Sequence, residues 1–418
     1  MYFLSIFAEG QMDKQVLYIS YDGMTDPLGQ SQVIPYLAGL SKAGYRITLL
    51  SCEKREKFRS QGAAISSLLE GYGIQWEHVF FTSFPPILSK YYDLGKLRKK
   101  AFRLHRLVKF SMVHCRSYVA ADVGYSMKKQ FGIKFLFDIR GFWVDERVDG
   151  GLWDLKNPVY RRAYKTYKKK EADYVSSADT IVSLTENGKA EMEKWPSWKK
   201  CPIDVIPCCA DYDLFTLQER SGYESAKEKL GFTKKDFVVS YLGSLGTWYM
   251  LEEMLDFFKV LQEKKRDAVF LFVSNGEEDK IMKAVSKKGI VISDIKIVNG
   301  KRNEVPSLIR ASDISLSFIK PCYSKKSSSP TKLGELLAMG IPVICNSGIG
   351  DVDEIIHATN GGLIMSDLSI SSYVETATRV DDLIERKDAA VTRERSKKYY
   401  DLAEGVNKYR QIYERLIG

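Results

Sequence analysis

Short apolar runs recur along this chain, each leading into a polar or glycine-bearing loop and then an amphipathic stripe. The first half holds Val16–Ser20, Arg46–Leu50, Lys134–Asp138 and Thr180–Leu184; the second holds Phe237–Leu242, Val269–Val273, Ile295–Val298 and Asp313–Phe318. Runs this short and this continuously apolar are strands buried on both faces, and helical connections between them demand parallel sheets. The alternation predicts an α/β chain. At about 100–200 residues per domain, 418 residues make two or three domains. The polar stretch Thr216–Lys235 places the main boundary, giving 13–220, 221–400 and a terminal helical segment, 401–418.

Composition excludes several classes. No apolar run approaches the ~20 residues of a membrane span. The opening Met1–Phe7 lacks the basic flank and length of a signal peptide, so the first eleven residues are read as peripheral and the fold as starting after Asp13. Seven scattered cysteines without a Cys-x-x-Cys pair, and four histidines, argue against zinc and against a disulfide framework. Reduced cysteines fit a cytoplasmic protein. A net charge of +10 calls for an acidic partner.

One stretch carries the most chemistry. Ser327–Ser329 is a small-residue loop running into Pro330, whose fixed φ suits a helix start. Leu333, Leu336 and Leu337 follow at core spacing, Gly340 supplies a left-handed end, and Pro342-Val343-Ile344 begins a buried strand. Lys332 and Glu335 share one helical face near free N–H groups. Donors and a carboxylate so placed suit the phosphates and ribose of a nucleotide. Ser329, Thr331, Lys332, Leu333 and Glu335 are therefore candidate donor-binding residues. A plain helix–strand unit with solvated polar residues is the alternative.

A glycine-bearing loop, Tyr21–Ser31, follows the first strand. Gly29 is read as allowing close approach of a diphosphate, with the N–H groups of Gln30 and Ser31 opening a helix toward it; a mere turn is the alternative. A matching loop, Gly243–Tyr249, follows the first strand of the second half, with Gly243 and Ser244 at its start. Met112–Arg116 delivers His114 and Arg116 to a sheet edge, and Lys134–Asp138 opens into Arg140–Arg147, dense in charge and aromatics. Arginine stays protonated, so Arg116 and Arg140 are read as clamps for a leaving-group charge, with Asp138, Asp145 and Glu146 orienting hydroxyls. A structural ion-pair network is the alternative. His114, Arg116, Asp138 and Arg140 are the candidate catalytic set.

Two basic runs stand out. Lys96–Lys109 has seven Lys and Arg and no acid, and Arg161–Lys170 is interleaved with tyrosines. Both suit an anionic membrane surface, through 96–109 and 160–170; a core-packed helix with a solvated face is the alternative. No nucleic-acid reading motif is present, and none is expected as partner.

Glu335 with Ala338-Met339-Gly340-Ile341-Pro342-Val343-Ile344 resembles the donor-nucleotide motif of retaining glycosyltransferases of family 4 (glycosyl transferases group 1), and Val205-Ile206-Pro207 through Phe215 resembles the segment closing their first domain. The resemblance runs from about residue 15 to 417 and is strongest over Asp313–Ile356. It implies a GT-B fold: two Rossmann-like domains with parallel sheets facing a central cleft, and a last helix, Ala403–Ile417, packing back on the first domain; the residues behind Ile356 are themselves read as helical. It implies transfer of a sugar from a nucleotide-sugar to a saccharide or lipid-linked oligosaccharide acceptor, with retention, without a metal or other cofactor, in surface polysaccharide or glycoconjugate synthesis at the cytoplasmic face. The Asp351-Val352-Asp353 triplet is read as a helix start. Two positions depart from the pattern. Ser327 stands where a second glutamate contacts the sugar, and no arginine or lysine occurs between Gly243 and Leu251, leaving the backbone N–H groups of Ser244 to Thr247 with Lys332, or else Lys301 or Arg302, to compensate. The departures leave UDP and GDP donors both open. A GT-B protein that binds nucleotide or membrane without transfer, and a nucleotide-sugar epimerase, are the alternative readings.

Overall fold

The computed structural model describes residues 14–82, 84, 88–217 and 220–418; the opening residues read as peripheral lie outside these. The chain forms two compact units. The first ends at Ile206 and takes back Gly405–Gly418; the second is Pro207–Glu404. The division thus falls ahead of residue 220. The physical reason is the pairing of residues 207–215, because Ala210 donates its N–H to the Tyr400 carbonyl at 2.7 Å and accepts from Leu402 at 3.1 Å.

The first unit is built on seven parallel strands: β1 (Gln15–Ser20), β2 (Arg46–Glu53), β3 (Gln75–Phe80), β4 (Met112–Arg116), β5 (Lys134–Asp138), β6 (Thr180–Ser183) and β7 (Ile203–Val205). Their order is β3-β2-β1-β4-β5-β6-β7. The second unit has six: β8 (Phe237–Leu242), β9 (Ala268–Val273), β10 (Ile295–Val298), β11 (Ile314–Ser317), β12 (Val343–Asn346) and β13 (Gly362–Met365), in the order β10-β9-β8-β11-β12-β13. Both sheets reverse direction of growth beside their first strand, between β1 and β4 and between β8 and β11. Ligands of such sheets bind at the carboxyl ends of the strands around that reversal. The expectation of an all-helical chain behind Ile356 is corrected by β13. Asn360 and Gly362 take positive φ, turning the chain so that Leu363 to Met365 pair with β12.

Each sheet is sandwiched by helices. The last helix, Leu402–Ile417, buries Tyr409, Ile412, Tyr413 and Ile417 at three- and four-residue spacing, the stripe expected of a helix lying on a core. Tyr409 meets Tyr36 and Tyr413 meets Tyr45 edge-on, at 5.6 and 5.0 Å between centroids. Gly39 makes room for this packing, since a Cβ there would come within 2.6 Å of Val406.

Helices Leu88–Val108 and Pro158–Ser177 flank helix Ser117–Phe131. Asp122 ties all three together: it takes Arg98 and Lys170 as ion-pair partners and accepts from the Tyr174 hydroxyl at 2.8 Å. Burial would raise its pKa, but Lys170, Tyr174 and Arg98 together hold it below the usual carboxylate range. The two basic runs are therefore partly neutralised by acids outside the runs themselves. Lys96 pairs with Asp93 and Lys100 with Glu77, each at 2.6 Å. Lys99, Arg103 and Arg106, and Arg161, Arg162, Lys165 and Lys169, remain exposed on the outer faces. Among the described residues, no helix is long and apolar enough to cross a membrane.

Candidate functional site

In the second unit the residues after β8, β10 and β11 converge. Gly243 has φ +105°, and a Cβ on it would lie 2.2 Å from Lys332 Cε and 2.5 Å from its Nζ. The lysine side chain therefore runs across bare backbone. Its ammonium donates to the Tyr241 hydroxyl at 3.2 Å and lies 3.6 Å from the centroid of the Tyr249 ring. Burial pulls its pKa down to about 7, against the opposing charges of Glu335 and Glu277.

Glu335, one turn on in the helix Thr331–Ala338, is 5% exposed and accepts from Arg302 Nη1 at 2.9 Å. Burial raises its pKa, offset in part by Arg302 and Lys332. Lys332 and Glu335 share a helical face as expected, but each takes its close partner from a different loop. Arg302, from the loop after β10, thus enters the group beside Glu335.

The other expected donor residues are placed as follows. Pro330 caps the helix, and Leu333 is 2% exposed with its N–H donated to the Pro330 carbonyl at 3.1 Å, so it serves the core. Thr331 is half-buried at the first helical position. Ser329 Oγ accepts from the Cys208 N–H at 3.2 Å. The Ser244 carbonyl accepts from Tyr241 at 2.7 Å, and the Leu245 N–H, read from sequence as free for phosphate, is taken by the Glu277 carboxylate. Ser327 donates to the Ser324 carbonyl at 2.9 Å within a short 3-10 turn. Gly340 takes φ +67° as expected, and a Cβ there would meet Ala389.

In the first unit, β4 and β5 bring the candidate catalytic residues together at adjacent strand ends, with Arg116 opposite Asp138 and His114 opposite Leu136. Asp138 is 1% exposed. Its Oδ2 accepts from the Tyr409 hydroxyl at 2.9 Å and lies 3.6 Å from His114 Nε2 and 3.7 Å from Arg140 Nη1. His114 Nδ1 is 2.8 Å from the Tyr413 hydroxyl. Burial raises the pKa of Asp138, but Arg140, His114 and Arg116 outweigh it and the net shift is downward. Burial lowers that of His114. An ionised Asp138 and a neutral imidazole assign the ring proton to Nε2, facing the carboxylate, with Nδ1 accepting from Tyr413. Arg116 Nε lies 3.5 Å from Asp22 Oδ2. His114 is thus buried under the last helix, two residues inside the strand end. Asp145 is engaged by Tyr164 at 2.8 Å and Lys168 at 3.1 Å, as the structural network alternative required.

The loop after β1 is organised by a residue the sequence reading missed. Glu53, fully buried at the end of β2, accepts from the N–H groups of Met24 (2.6 Å) and Thr25 (3.2 Å), from the Thr25 hydroxyl (2.7 Å) and from Ser51 Oγ (2.6 Å). Its signal was a lone acid closing an apolar strand beside a glycine loop. The helix expected to open at Gln30 and Ser31 begins at Pro27, whose fixed φ nucleates it, so the Gln30 N–H already donates to the Asp26 carbonyl. Gly29 has a packing reason for lacking a side chain, since a Cβ would lie 2.3 Å from the Gly23 carbonyl. Tyr241 and Tyr249 were also missed. In sequence Tyr241 is a strand residue and Tyr249 ends the Gly243 loop; only the fold sets their rings beside Lys332.

A family model described as Glycosyltransferase Family 4 matches residues 29–214, and one described as Glycosyl transferases group 1 matches 223–399. No curated protein sequence matches this chain. Among solved structures, the sucrose-phosphate synthase of Thermosynechococcus elongatus superposes with a TM-score of 0.73 at 15% identity, covering 96% of this chain and 99% of that one. Anabaena HepE in complex with UDP gives 0.71 at 15% identity, covering 96% and 100%. WaaG, a glycosyltransferase involved in lipopolysaccharide biosynthesis, gives 0.69 at 14% identity, covering 95% and 99%. With a glycosyltransferase model matched in each unit and this architecture, the chain is a group 1 glycosyltransferase with the GT-B fold.

Proposed function

We propose that this transferase takes its sugar from a nucleoside diphosphate sugar held by the second unit and delivers it, with retention, to a saccharide acceptor carried on a lipid. The observation that carries the donor assignment is the group Gly243–Lys332–Glu335–Arg302. A buried ammonium beside a glycine loop offers the diphosphate a cation, and a buried carboxylate beside it offers the ribose an acceptor. This supports Lys332 as the substitute for the arginine–lysine pair missing from the Gly243 loop. With side-chain cations such as Lys332 neutralising the leaving diphosphate, the reaction is expected to proceed in EDTA.

The exposed cations Lys99, Arg103 and Arg106, with Arg161, Arg162, Lys165 and Lys169, support a second part of the proposal, attachment to the cytoplasmic face of an anionic membrane. Each basic residue near such a surface contributes about 1 kcal/mol. Lipid-linked acceptors place synthesis of surface polysaccharide or glycoconjugate at that face.

The test is a thermal-shift screen of wild type and Glu335→Ala with UDP, GDP, ADP, CMP and their sugars. UDP comes first because the HepE structure holds it. A ligand at 100-fold over its Kd adds about 2.7 kcal/mol. One nucleotide stabilising wild type and failing on Glu335→Ala is the expected result. Equal stabilisation of both proteins removes Glu335 from the site. Proton NMR of the anomeric signal in product and donor tests retention.

A further inference from the structure

Beyond the donor group and the His114–Asp138 cluster, the first unit carries a half-buried aromatic group that rests on the core and gathers two cations. Trp143 opens the short helix Trp143–Asp149, directly after Arg140 at the carboxyl end of β5. Its indole meets Trp153 edge-on at 5.8 Å and Tyr167 at 5.2 Å, and Trp153 meets Tyr167 at 5.8 Å. The three half-buried rings form one aromatic group, with Leu152 (54% exposed) and Tyr91 (50% exposed) as its apolar surroundings.

Two cations share the Trp143 indole. The Arg147 guanidinium carbon lies 4.8 Å and the Lys90 ammonium 5.6 Å from ring centroid. Among the described residues neither has a carboxylate oxygen within ion-pair distance; the charge of Glu146 acts on Arg147 only from further away. One cation on an indole is favourable by itself. Two half-buried like charges on the same indole repel; burial lowers the proton affinity of Lys90 most, and the charge of Arg147 adds to that in the same direction. An anion between them removes that cost. Guanidinium and ammonium together suit phosphate oxygens, and the rings beside them suit a hydrocarbon chain.

We infer that Lys90, Arg147 and the Trp143–Trp153–Tyr167 group form a site for the phosphate ester of a long-chain alcohol, the carrier end of the acceptor. The phosphate sits at the two cations and the first units of the chain lie over Trp153, Leu152 and Tyr91. The placement follows from two like charges sharing one indole at the head and exposed apolar surface behind it. The inference rests on the reading of the acceptor as lipid-linked.

The experiment titrates full-length protein with farnesyl phosphate, following tryptophan fluorescence below the micellar range of the ligand. Inorganic phosphate and farnesol are parallel probes. The same titrations use Lys90→Gln/Arg147→Gln, which removes charge at half-exposed positions and leaves the fold's ion pairs intact. Farnesyl phosphate is expected to bind saturably, about tenfold or more tighter than either parallel probe, and to lose about tenfold in the double variant. Binding no tighter than farnesol reduces the site to an apolar patch and overturns the inference. Equal binding by wild type and double variant places the phosphate elsewhere and overturns it too. UDP-sugar stabilisation, read at Lys332 and Glu335 in the other unit, is expected to be unchanged by the double variant. Its absence in wild type counts against the donor proposal and leaves the farnesyl phosphate result standing.

Discussion

The Lys332 ammonium lies 3.6 Å from the centroid of the Tyr249 ring, where most buried lysines would hold a carboxylate. An aromatic face stabilises a cation only modestly, so the lysine is left poised near neutrality. Four predictions begin from this and comparable contacts.

The first concerns pH. In the folded chain the Lys332 pKa is about 7, below the ordinary 10.5. Between those values the unfolded chain holds a proton that the folded chain lacks, so the stability of the ligand-free protein rises with pH across that window. Nucleotide-sugar affinity falls across the same window, because only the protonated amine attracts the diphosphate. Lys332→Met is expected to flatten both trends, measured by calorimetry and by donor titration at a series of pH values. Parallel pH dependence of donor binding in wild type and variant would exclude Lys332 as the phosphate cation.

Gly243 is the second. A methyl group there meets Lys332 at 2.2 Å from a backbone held at φ +105°. Gly243→Ala is expected to cost about 1–3 kcal/mol of stability through strain and to displace the lysine, weakening donor binding by about tenfold. In a Lys332→Ala background the same substitution should no longer affect binding. A double-mutant cycle reads the coupling.

A third prediction follows from Glu53. Its two oxygens are filled by four donors, two of them backbone N–H groups of the loop after β1. Glu53→Gln turns one acceptor into a donor that faces donors. The expected loss is about 1–3 kcal/mol in urea unfolding, with faster amide exchange at Met24 and Thr25. Unchanged exchange there would show that the loop holds itself.

Acid sensitivity provides the fourth. His114 has its pKa lowered by burial, and Asp138 has its own lowered by its cationic neighbours. For both, the unfolded chain takes up a proton before the folded one, so stability is lost as pH falls, first below the ordinary histidine range and then below that of carboxylates. His114→Gln is expected to make the first part of that loss shallower than in wild type. His78 and His105, also lowered by burial, leave a residual slope in both proteins.

Much of the architecture was legible because it follows from local chemistry. Apolar runs such as Phe237–Leu242 are strands in any context that buries both faces, and Gly340 marks a helix end through its backbone geometry. Strands β3 and β13 were not legible. The first is only half-buried at a sheet edge and the second is four residues long, so neither has the continuous apolar signature of a central strand.

The amino-acid order by itself determined the α/β alternation, the helix-and-strand unit bearing Lys332 and Glu335, and the stripe by which the last helix packs. Periodicity and capping are encoded within a few residues of one another. Only the tertiary structure decided partners. Glu335 takes Arg302 from 33 residues away, Met24 and Thr25 give their N–H groups to Glu53, and His114 is sealed under Tyr413, 299 residues on. A charge at a strand end points to a ligand or to another side chain with equal local logic. The choice rests on which groups the sheet order brings within hydrogen-bond range and removes from water.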